Sequence, residues 1–482
     1  MPILPKGKHC CGCSACFSAC PHDSITMIQD FEGFYYPEVN PVTCTECKSC
    51  EIACPTLPYL NFTPYDQVHK KSRFPYDIKN HTLDSRGIFM YFDNNSTSFF
   101  GQSTTKFNSL DSSPYIITRP VQLVSEKSNY TSPPPPYCFA LKAKNTSLRE
   151  ISSSGGVFSL LALEVLKHDG VVFGACYDEN LKVIHKPIHS SDELDQLRRS
   201  KYVESFIGES FKQVQAYLKA GRLVLFSGVQ CQIQGLHSFL RKPYANLLTI
   251  EVICNAVPSA KVWEIYKQSI LEEEDEKLLD VNFRGKDYGW GYGFAIKTKT
   301  KTKTKTTPGD KVSFMEGFEY HFITRPSCEN CYAKGFKSRA DITIGDYWGV
   351  QVHHPEFYDA LGVTCALVHS RQGIEFMDIV AESMEIVPST FEKILMKNPC
   401  LVHSYPCFKH PFVERNKVLH TILTTYERTA DPHKALAILK RAVRTASILG
   451  IYENIKWWIA SCLPKSLKLY LKSKLRKCNE SS

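Results

Sequence analysis

With 482 residues, 43% of them hydrophobic and 22% charged, the chain is long enough for two or three domains with proper cores, and that balance excludes global disorder. Twenty cysteines follow the start MPILPKGKHCCGC, which has no apolar stretch resembling a signal peptide, so a reducing cytoplasmic compartment is expected and not a secreted disulfide scaffold. No run of eighteen apolar residues occurs, which excludes a spanning helix, and the net charge of +9 suits an acidic partner or a phosphorylated cofactor without demanding one.

Residues 1–60 are dense in cysteine and short on helical periodicity, so a bound metal must replace a core there. Reading back from two Cys-Pro pairs gives Cys10-x2-Cys13-x2-Cys16-x3-Cys20-Pro21 and Cys44-x2-Cys47-x2-Cys50-x3-Cys54-Pro55. This is the spacing of a ferredoxin with two [4Fe-4S] clusters, in which three thiolates of one loop hold three corners of a cubane and the fourth cysteine ligates the other cluster. The expected sets are Cys10, Cys13, Cys16 and Cys54 for one cluster, and Cys44, Cys47, Cys50 and Cys20 for the other. Structural zinc also uses Cys-x2-Cys, yet it explains neither the third cysteine at x2 nor the repeated Cys-Pro. Cys11 falls outside the spacing and reads as a spectator thiol.

From 61 to 137 the composition shifts to Ser, Thr, Asn, Tyr and Pro, ending in the SPPPP of Ser132 to Pro136, which favours polyproline II and reads as a linker or insertion. A compact domain, 138–401, follows. The apolar patterns predict helices over Val157 to Leu166, Ser210 to Leu218 and Gln232 to Leu240, alternating with strands over Gly170 to Ala175, Leu223 to Ser227 and Leu247 to Cys254. Helices between strands imply parallel pairing through crossovers. The repeat KTKTKTKTK at Lys297 to Lys305 reads as a solvated low-complexity loop or as an exposed edge or hairpin. The segment 402–482 is expected to be helical and basic toward its end, where Trp457, Trp458 and Ile459 precede Lys465, Lys468, Lys472, Lys474, Arg476 and Lys477. It reads as an amphipathic helix on its own protein, a partner-docking helix or a peripheral contact with an anionic membrane.

A second set of cysteines lies in the α/β part: Cys231 after one strand, Cys254 at the end of the next, and the pair Cys328-x2-Cys331 farther on. Ends of neighbouring parallel strands are adjacent in space, so four thiolates can meet there. Buried small hydrophobes are the other reading of scattered cysteines.

The ordered blocks SSSGGVF (152–158), GVVFGA (170–175), RSKYVES (199–205), LVLFSGVQCQIQGL (223–236), ICNAVPSAKVW (253–263), NFRGKDYGW (282–290) and RPSCENCYAKGFKSRADITIGDYW (325–348) resemble the coenzyme F-420 hydrogenase/dehydrogenase beta-subunit family, over about 138–401, with a ferredoxin module as a common companion. The resemblance implies an α+β / α/β protein: a small two-cluster ferredoxin-like domain, a mixed α/β flavin and iron-sulfur domain, and a helical C-terminal tail. It implies a third [4Fe-4S] cluster on Cys231, Cys254, Cys328 and Cys331, a bound FAD, and hydride exchange with a soluble two-electron substrate such as F-420 or another small molecule. Two departures touch the cofactor loops, Val229-Gln230 where the family commonly has Thr-Pro and Asn255-Ala256 where it usually has His-Gly, so flavin potential or substrate choice is expected to differ.

The residue chemistry can be set beside that expectation. Ser152, Ser153, Ser154, Gly155 and Gly156 precede an apolar helix, where hydroxyls, close backbone and the helix N-terminus suit a flavin pyrophosphate, or simply cap the helix. Lys201 and Tyr202 offer a cation and an aromatic face for a reduced flavin, or sit in an ordinary surface loop. Asp346 orients a ribose or caps a turn. No spacing supports hydrolytic chemistry, and the basic segments lack an aromatic-interleaved nucleic-acid motif. The expected function is a flavin-dependent iron-sulfur oxidoreductase with a redox partner protein or a small-molecule substrate; a noncatalytic electron-transfer subunit is the alternative.

Overall fold

The computed structural model describes residues 1–60, 136–271, 276–286, 289–291, 293–299, 304–308, 314–404 and 414–462. The chain forms two compact units, Met1–Gly309 with Thr324–Pro406, and Asp310–Ile323 with Cys407–Ser482. The expected linker over 61–137 lies outside the described residues as far as 135, and its last residue, Tyr137, already begins a strand, Tyr137–Ala143.

The cysteine-rich module is a pseudo-repeat. An antiparallel pair, β1 (Ile25–Gln29) and β2 (Tyr35–Val39), lies between two short helices, α1 (Ala15–Ser18) and α2 (Ser49–Ala53). The two cysteine loops share their backbone turns: Gly12 and Ser14 in the first, Glu46 and Lys48 in the second, all have positive φ. Such repeated left-handed turns let each short loop curl around a bound group.

The α/β part is built on an eight-stranded sheet of order β13-β3-β12-β11-β7-β6-β4-β5. Its centre is parallel: β4 (Val171–Tyr177), β6 (Val224–Val229), β7 (Leu247–Val252) and β11 (Ile342–Asp346). Around them lie β3 (Tyr137–Ala143), β5 (Val183–Ile188), β12 (Thr364–Val368) and β13 (Met384–Pro388), each antiparallel to its neighbours. The predicted helices appear as α4 (Val157–Lys167), α5 (Ser210–Lys219) and α6 (Gln230–Leu240), preceded by a short α3 (Thr146–Glu150).

Strand alternation assigns the two faces. Val172 of β4 and Leu225 of β6 pack with Leu161 and Val165 of α4, while Val171, Phe173, Val224 and Phe226 pack with Phe211, Val214, Ile233 and Leu236 of α5 and α6. Burial of both faces explains the unbroken apolar runs that marked these strands in the sequence. Cys13 and Ala15 of the module join the α5/α6 face. Gly235 of α6 makes room for them, since a Cβ there would lie 2.8 Å from Cys13 Cβ.

The Lys-Thr repeat falls in a second, three-stranded antiparallel sheet formed by β8 (Lys277–Gly285), β9 (Gly293–Lys299) and β10 (Thr304–Pro308), with β10 at its edge. Alternation decides this outcome over a loop: Ile296 and Thr298 are buried while Lys297 and Lys299 face solvent.

The first unit also holds α7 (Ala260–Ile270); in the other unit a short helix, α8 (Phe314–Glu319), packs with α9 (Arg415–Thr429) and α10 (Pro432–Cys462) around Phe318, Leu419, Ile422, Leu423 and Leu439. Gly317 permits the close approach, because a Cβ there would stand 2.8 Å from the Leu439 side chain. Among the described residues no helix is long and apolar enough to cross a membrane. Trp457 and Trp458 fall within α10, but their side chains, and the lysines from 465 onward, lie outside the described residues.

Candidate iron-sulfur centres and the strand-end site

The module folds its eight spaced cysteines around two small cavities. One is lined by Cys10, Cys13, Cys16 and Cys54, the other by Cys20, Cys44, Cys47 and Cys50. The fourth cysteine of each run, Cys20 or Cys54, therefore lines the cavity of the other loop. Among the described residues no three His, Cys, Asp or Glu side chains are gathered tightly enough for a single ion; these thiols are instead distributed around a volume. Backbone N–H groups point at the sulfurs, Gly12 N to Cys10 Sγ at 3.4 Å and Ser24 N to Cys20 Sγ at 3.3 Å. Burial pushes the Cys10 thiol up to about 11. Thiols so buried need a cationic group to stabilise their thiolates, and iron fits that donor set.

The sheet gathers the second set. Cys231 is the second residue of α6, just beyond β6; Cys254 lies two residues past β7; Cys328 and Cys331 come on a 3-10 turn, Pro326–Asn330. Because β6 and β7 are parallel neighbours, their following loops start side by side. The four sulfurs act on one another. Burial first, and then the neighbouring thiols of Cys331, Cys400 and others, push the Cys254 thiol up to about 12, and Cys328 is raised by burial, Cys254 and Cys331. Lys334 lies among them, donating to the carbonyl oxygens of Cys254 and Cys400, the latter at 2.5 Å. Burial alone would lower its pKa, yet the surrounding thiols raise it. One ammonium among so many thiols leaves a donor set with the chemistry to hold an iron-sulfur cluster.

Two further cysteines belong to this neighbourhood. Cys11, which reads in the sequence as a spectator, packs against the α5/α6 face beside Cys13, and the Cys13 and Cys231 thiols are the first causes that hold its own thiol well below the usual range. Cys400 approaches Cys254, and no spacing signal marked it.

At the same strand ends lies a third constellation, made by the blocks at 152–156, 199–202, 282–290 and 341–348. Its hub is Asp346 at the end of β11, which accepts from Arg284 Nη1 at 2.6 Å and from Trp290 Nε1 at 2.8 Å. Trp290 and Trp348 stack, centroids 5.1 Å apart, and the Arg284 guanidinium lies 5.5 Å from the Trp348 ring centre. Arg284 also donates to Tyr202 Oη at 3.1 Å. Lys286 donates to the carbonyl oxygens of Arg149, Ser154 and Leu361, and burial lowers it to about 8. Lys201 donates to Gln196 O and Arg198 O and is lowered to about 7, burial again being the main cause. Arg284, Lys286, Trp290 and Trp348 were missed by residue-level reasoning, although buried cations beside tryptophans in a family-like block were a usable signal.

The serine-glycine segment is largely occupied with its own fold. Ser152 Oγ donates to Leu148 O at 2.7 Å, Ser154 Oγ to Val363 O at 2.9 Å, and Gly155 N to Thr364 Oγ1 at 3.0 Å. Gly155 has no room for a side chain, since a Cβ would meet Leu141 O at 2.4 Å. Ser153 Oγ accepts from Ser200 N at 2.8 Å, tying the segment to the 199–202 loop, and Gly156, at φ +87°, starts α4.

Residues 9–57 match the 4Fe-4S dicluster domain, and residues 221–393 match the C terminus of the coenzyme F-420 hydrogenase/dehydrogenase beta subunit. Over 221–393, about a third of its length, the chain is thus similar to the C-terminal part of that beta subunit. The two matches together mark the chain as an iron-sulfur protein of the oxidoreductase electron-transfer type, with a [4Fe-4S] dicluster domain at 9–57. No curated protein matches the chain. Among solved structures it is similar to a chain of the F-420-reducing [NiFe] hydrogenase complex from Methanosarcina barkeri, at 17% identity and a TM-score of 0.36, covering 55% of this chain and 91% of that one.

Proposed function

We propose that this chain is an iron-sulfur flavoprotein that passes electrons from the two module clusters, through a third cluster on Cys231, Cys254, Cys328 and Cys331, to FAD and on to a soluble two-electron substrate of the F-420 type or another small molecule. The observation that carries the reading is the seating of Cys13 and Ala15 in the α5/α6 face, with Cys11 packed against it and acted on by the Cys231 thiol, which sets the module's cysteine loop beside the sheet's thiols. The strand-end site adjoins the same loops. Ser153, Gly156, Lys201, Tyr202, Arg284 and Lys286 supply hydroxyl, backbone and cationic groups for an anionic cofactor, and the Trp290–Trp348 stack supplies planar surface. A flavin bound there supplies the exchange between single electrons and electron pairs. The protein groups hold it, exclude water and stabilise charge.

The engaged hydroxyls of Ser152 and Ser154 favour a second reading, an electron-transfer subunit without flavin that docks a redox partner protein. Anaerobically purified full-length protein decides between them. The flavoprotein reading expects about twelve irons per chain and bound FAD; clusters with no flavin at any occupancy would establish the subunit reading. A cytoplasmic location and peripheral membrane contact by the tail belong to this proposal as well. The membrane part is lost if the protein fails to float with anionic vesicles at low salt, where charge attraction is least screened.

A further inference from the structure

Arg325 stands three residues before Cys328, at the N-cap of the 3-10 turn, and its backbone N–H bonds Val257 O at 2.8 Å in the loop that follows Cys254. Its main chain thus belongs to the thiol set gathered by the sheet. Its side chain leaves that set and enters the ferredoxin module. Nε donates to Cys10 O at 2.9 Å, Nη2 to Tyr35 O at 2.7 Å, and Nη1 to Glu204 Oε1. The guanidinium lies 4.5 Å from the Tyr36 ring centre and 5.4 Å from that of Phe34. Only 1% of the residue is exposed. The cysteine loop is shaped around it: Gly12 has φ +70°, and a Cβ there would lie 2.7 Å from Arg325 Nη1 and 2.9 Å from Glu204 Oε1.

We propose that Arg325, held by Glu204, is a positioning residue that sets the electron affinity of the cluster bound by Cys10, Cys13, Cys16 and Cys54. This rests on the reading that the module carries electrons toward the sheet's thiols. A guanidinium keeps its charge even when buried, and in a poorly polarisable interior that charge favours an added electron on a neighbouring cluster. Cluster potentials respond to net charge and to hydrogen bonding around the ligands, and Arg325 supplies both beside Cys10. Glu204 opposes it with the contrary sign when ionised; burial pushes its carboxyl up to about 7, so the redox titrations are made above that pH. The other ionisable groups facing the pair are Asp30, Cys10, Cys11, Tyr35, Tyr36 and Cys328, the last of the sheet's own thiol set. The step it serves is the passage of one electron from the outer cluster, on Cys20, Cys44, Cys47 and Cys50, to the inner one, on Cys10, Cys13, Cys16 and Cys54, whose Cys13 lies against α6; no bond forms or breaks and no proton moves.

The competing role is a clamp that only fastens the module. The sign of the charge separates the two. In redox titrations of the anaerobic full-length protein, followed by EPR of the cluster signals, Glu204→Gln should raise the inner cluster's potential and Arg325→Gln should lower it. Each is expected to change electron sharing between the two module clusters about tenfold, which is about 59 mV for one electron. Arg325→Lys, which keeps the charge, should restore most of the wild-type value. If Arg325→Gln does not retain iron, Glu204→Gln decides, because it preserves shape: an upward shift supports the proposal. No shift, or a downward one, with iron content unchanged, overturns it. A protein found to lack the third cluster would sink the proposed electron route, while this titration would still be read on the two module clusters alone.

Discussion

The two cysteine sets are gathered by opposite means. In the module, eight thiols come from two loops of eleven residues each, Cys10 to Cys20 and Cys44 to Cys54, and the repeated positive φ at Gly12/Glu46 and Ser14/Lys48 curls both loops alike. In the α/β part, four thiols spread from Cys231 to Cys331 meet because β6 and β7 run parallel and a 3-10 turn reaches the same end of the sheet. A local motif writes its geometry into spacing. A dispersed one borrows its geometry from the whole fold, so it should inherit the fold's sensitivities.

The sharpest break of this comparison is crossed ligation. Cys20→Ser removes a residue of the first run, yet it should abolish the cluster of the second run, because Cys20 lines the cavity of Cys44, Cys47 and Cys50. Iron and EPR analysis of the full-length protein should show one module cluster lost, about four irons, with the signal on Cys10, Cys13 and Cys16 retained. Loss of the first cluster instead would mean that each run closes on itself. The same measurement on Cys254→Ser should leave both module clusters intact and remove only the iron of the proposed third cluster.

A smaller effect is expected where the two sets touch. Gly235→Val places a side chain where even a Cβ would be 2.8 Å from Cys13 Cβ and 3.0 Å from its Sγ. Overpacking of this kind costs about 1–3 kcal/mol. The module should then loosen from α6, seen as a lowered denaturant midpoint and as faster loss of iron from the inner cluster than from the outer one. Equal rates of loss from both would show that the module does not depend on its seat.

How much of this was legible in the sequence follows the same division. The spacing of Cys10 to Cys20 and Cys44 to Cys54 carried both ligand sets, and the apolar runs carried the central strands, since burial on both faces leaves no polar interruption. Val224–Val229 and Leu247–Val252 fall within a few residues of expectation. Arg325, Cys400 and the Trp290–Trp348 stack were not legible, because each acts on residues far away in sequence and has no periodicity of its own. Cys11 shows the limit most plainly: its spacing marks it as surplus, and only the docking of the module on α6 reveals its place between Cys13 and Cys231. The Lys-Thr repeat misled toward a loop because its composition looks solvated. Period-two alternation, with Thr298 inward and Lys297 outward, was the signal to weigh more heavily.

The strand-end site allows a third test. Asp346→Asn keeps the shape but weakens the hold on Arg284 and Trp290, both of which donate to this carboxylate. Removing the charge leaves the guanidinium buried with a poorer partner, at a cost of about 1–3 kcal/mol for a charge-assisted hydrogen bond. If the proposed flavin lies here, its affinity should fall roughly tenfold to a hundredfold, measured by FAD release on dilution, with iron content unchanged. Flavin affinity equal to wild type would move the cofactor away from Asp346.

The mildest effect concerns acid, and it separates the two regions by their dependence on the sheet. His185 of β5 is fully enclosed, with Nδ1 2.6 Å from Ser205 Oγ and Nε2 3.0 Å from Ser227 O, and its ring stacks on Phe226. Burial lowers it to about 4 from an ordinary 6.5, so the folded protein requires the neutral ring. Between pH 6.5 and 4 the unfolded chain takes up a proton that the folded chain refuses. Stability therefore falls as the solution is acidified through this window and is flat with respect to this group above it. From pH 7 to pH 5 the loss attributable to His185 is on the order of 2 kcal/mol. His185→Gln should be less stable than wild type at pH 7, having lost the stack, but should show a shallower decline toward pH 5 in denaturant midpoints; an unchanged decline would remove His185 from the account. Ser227 lies four residues before Cys231, so the strain of protonation falls on the strand that delivers a sheet-gathered thiol. On mild acidification iron should leave the Cys231 set before it leaves the module, whose loops hold their shape through their own turns.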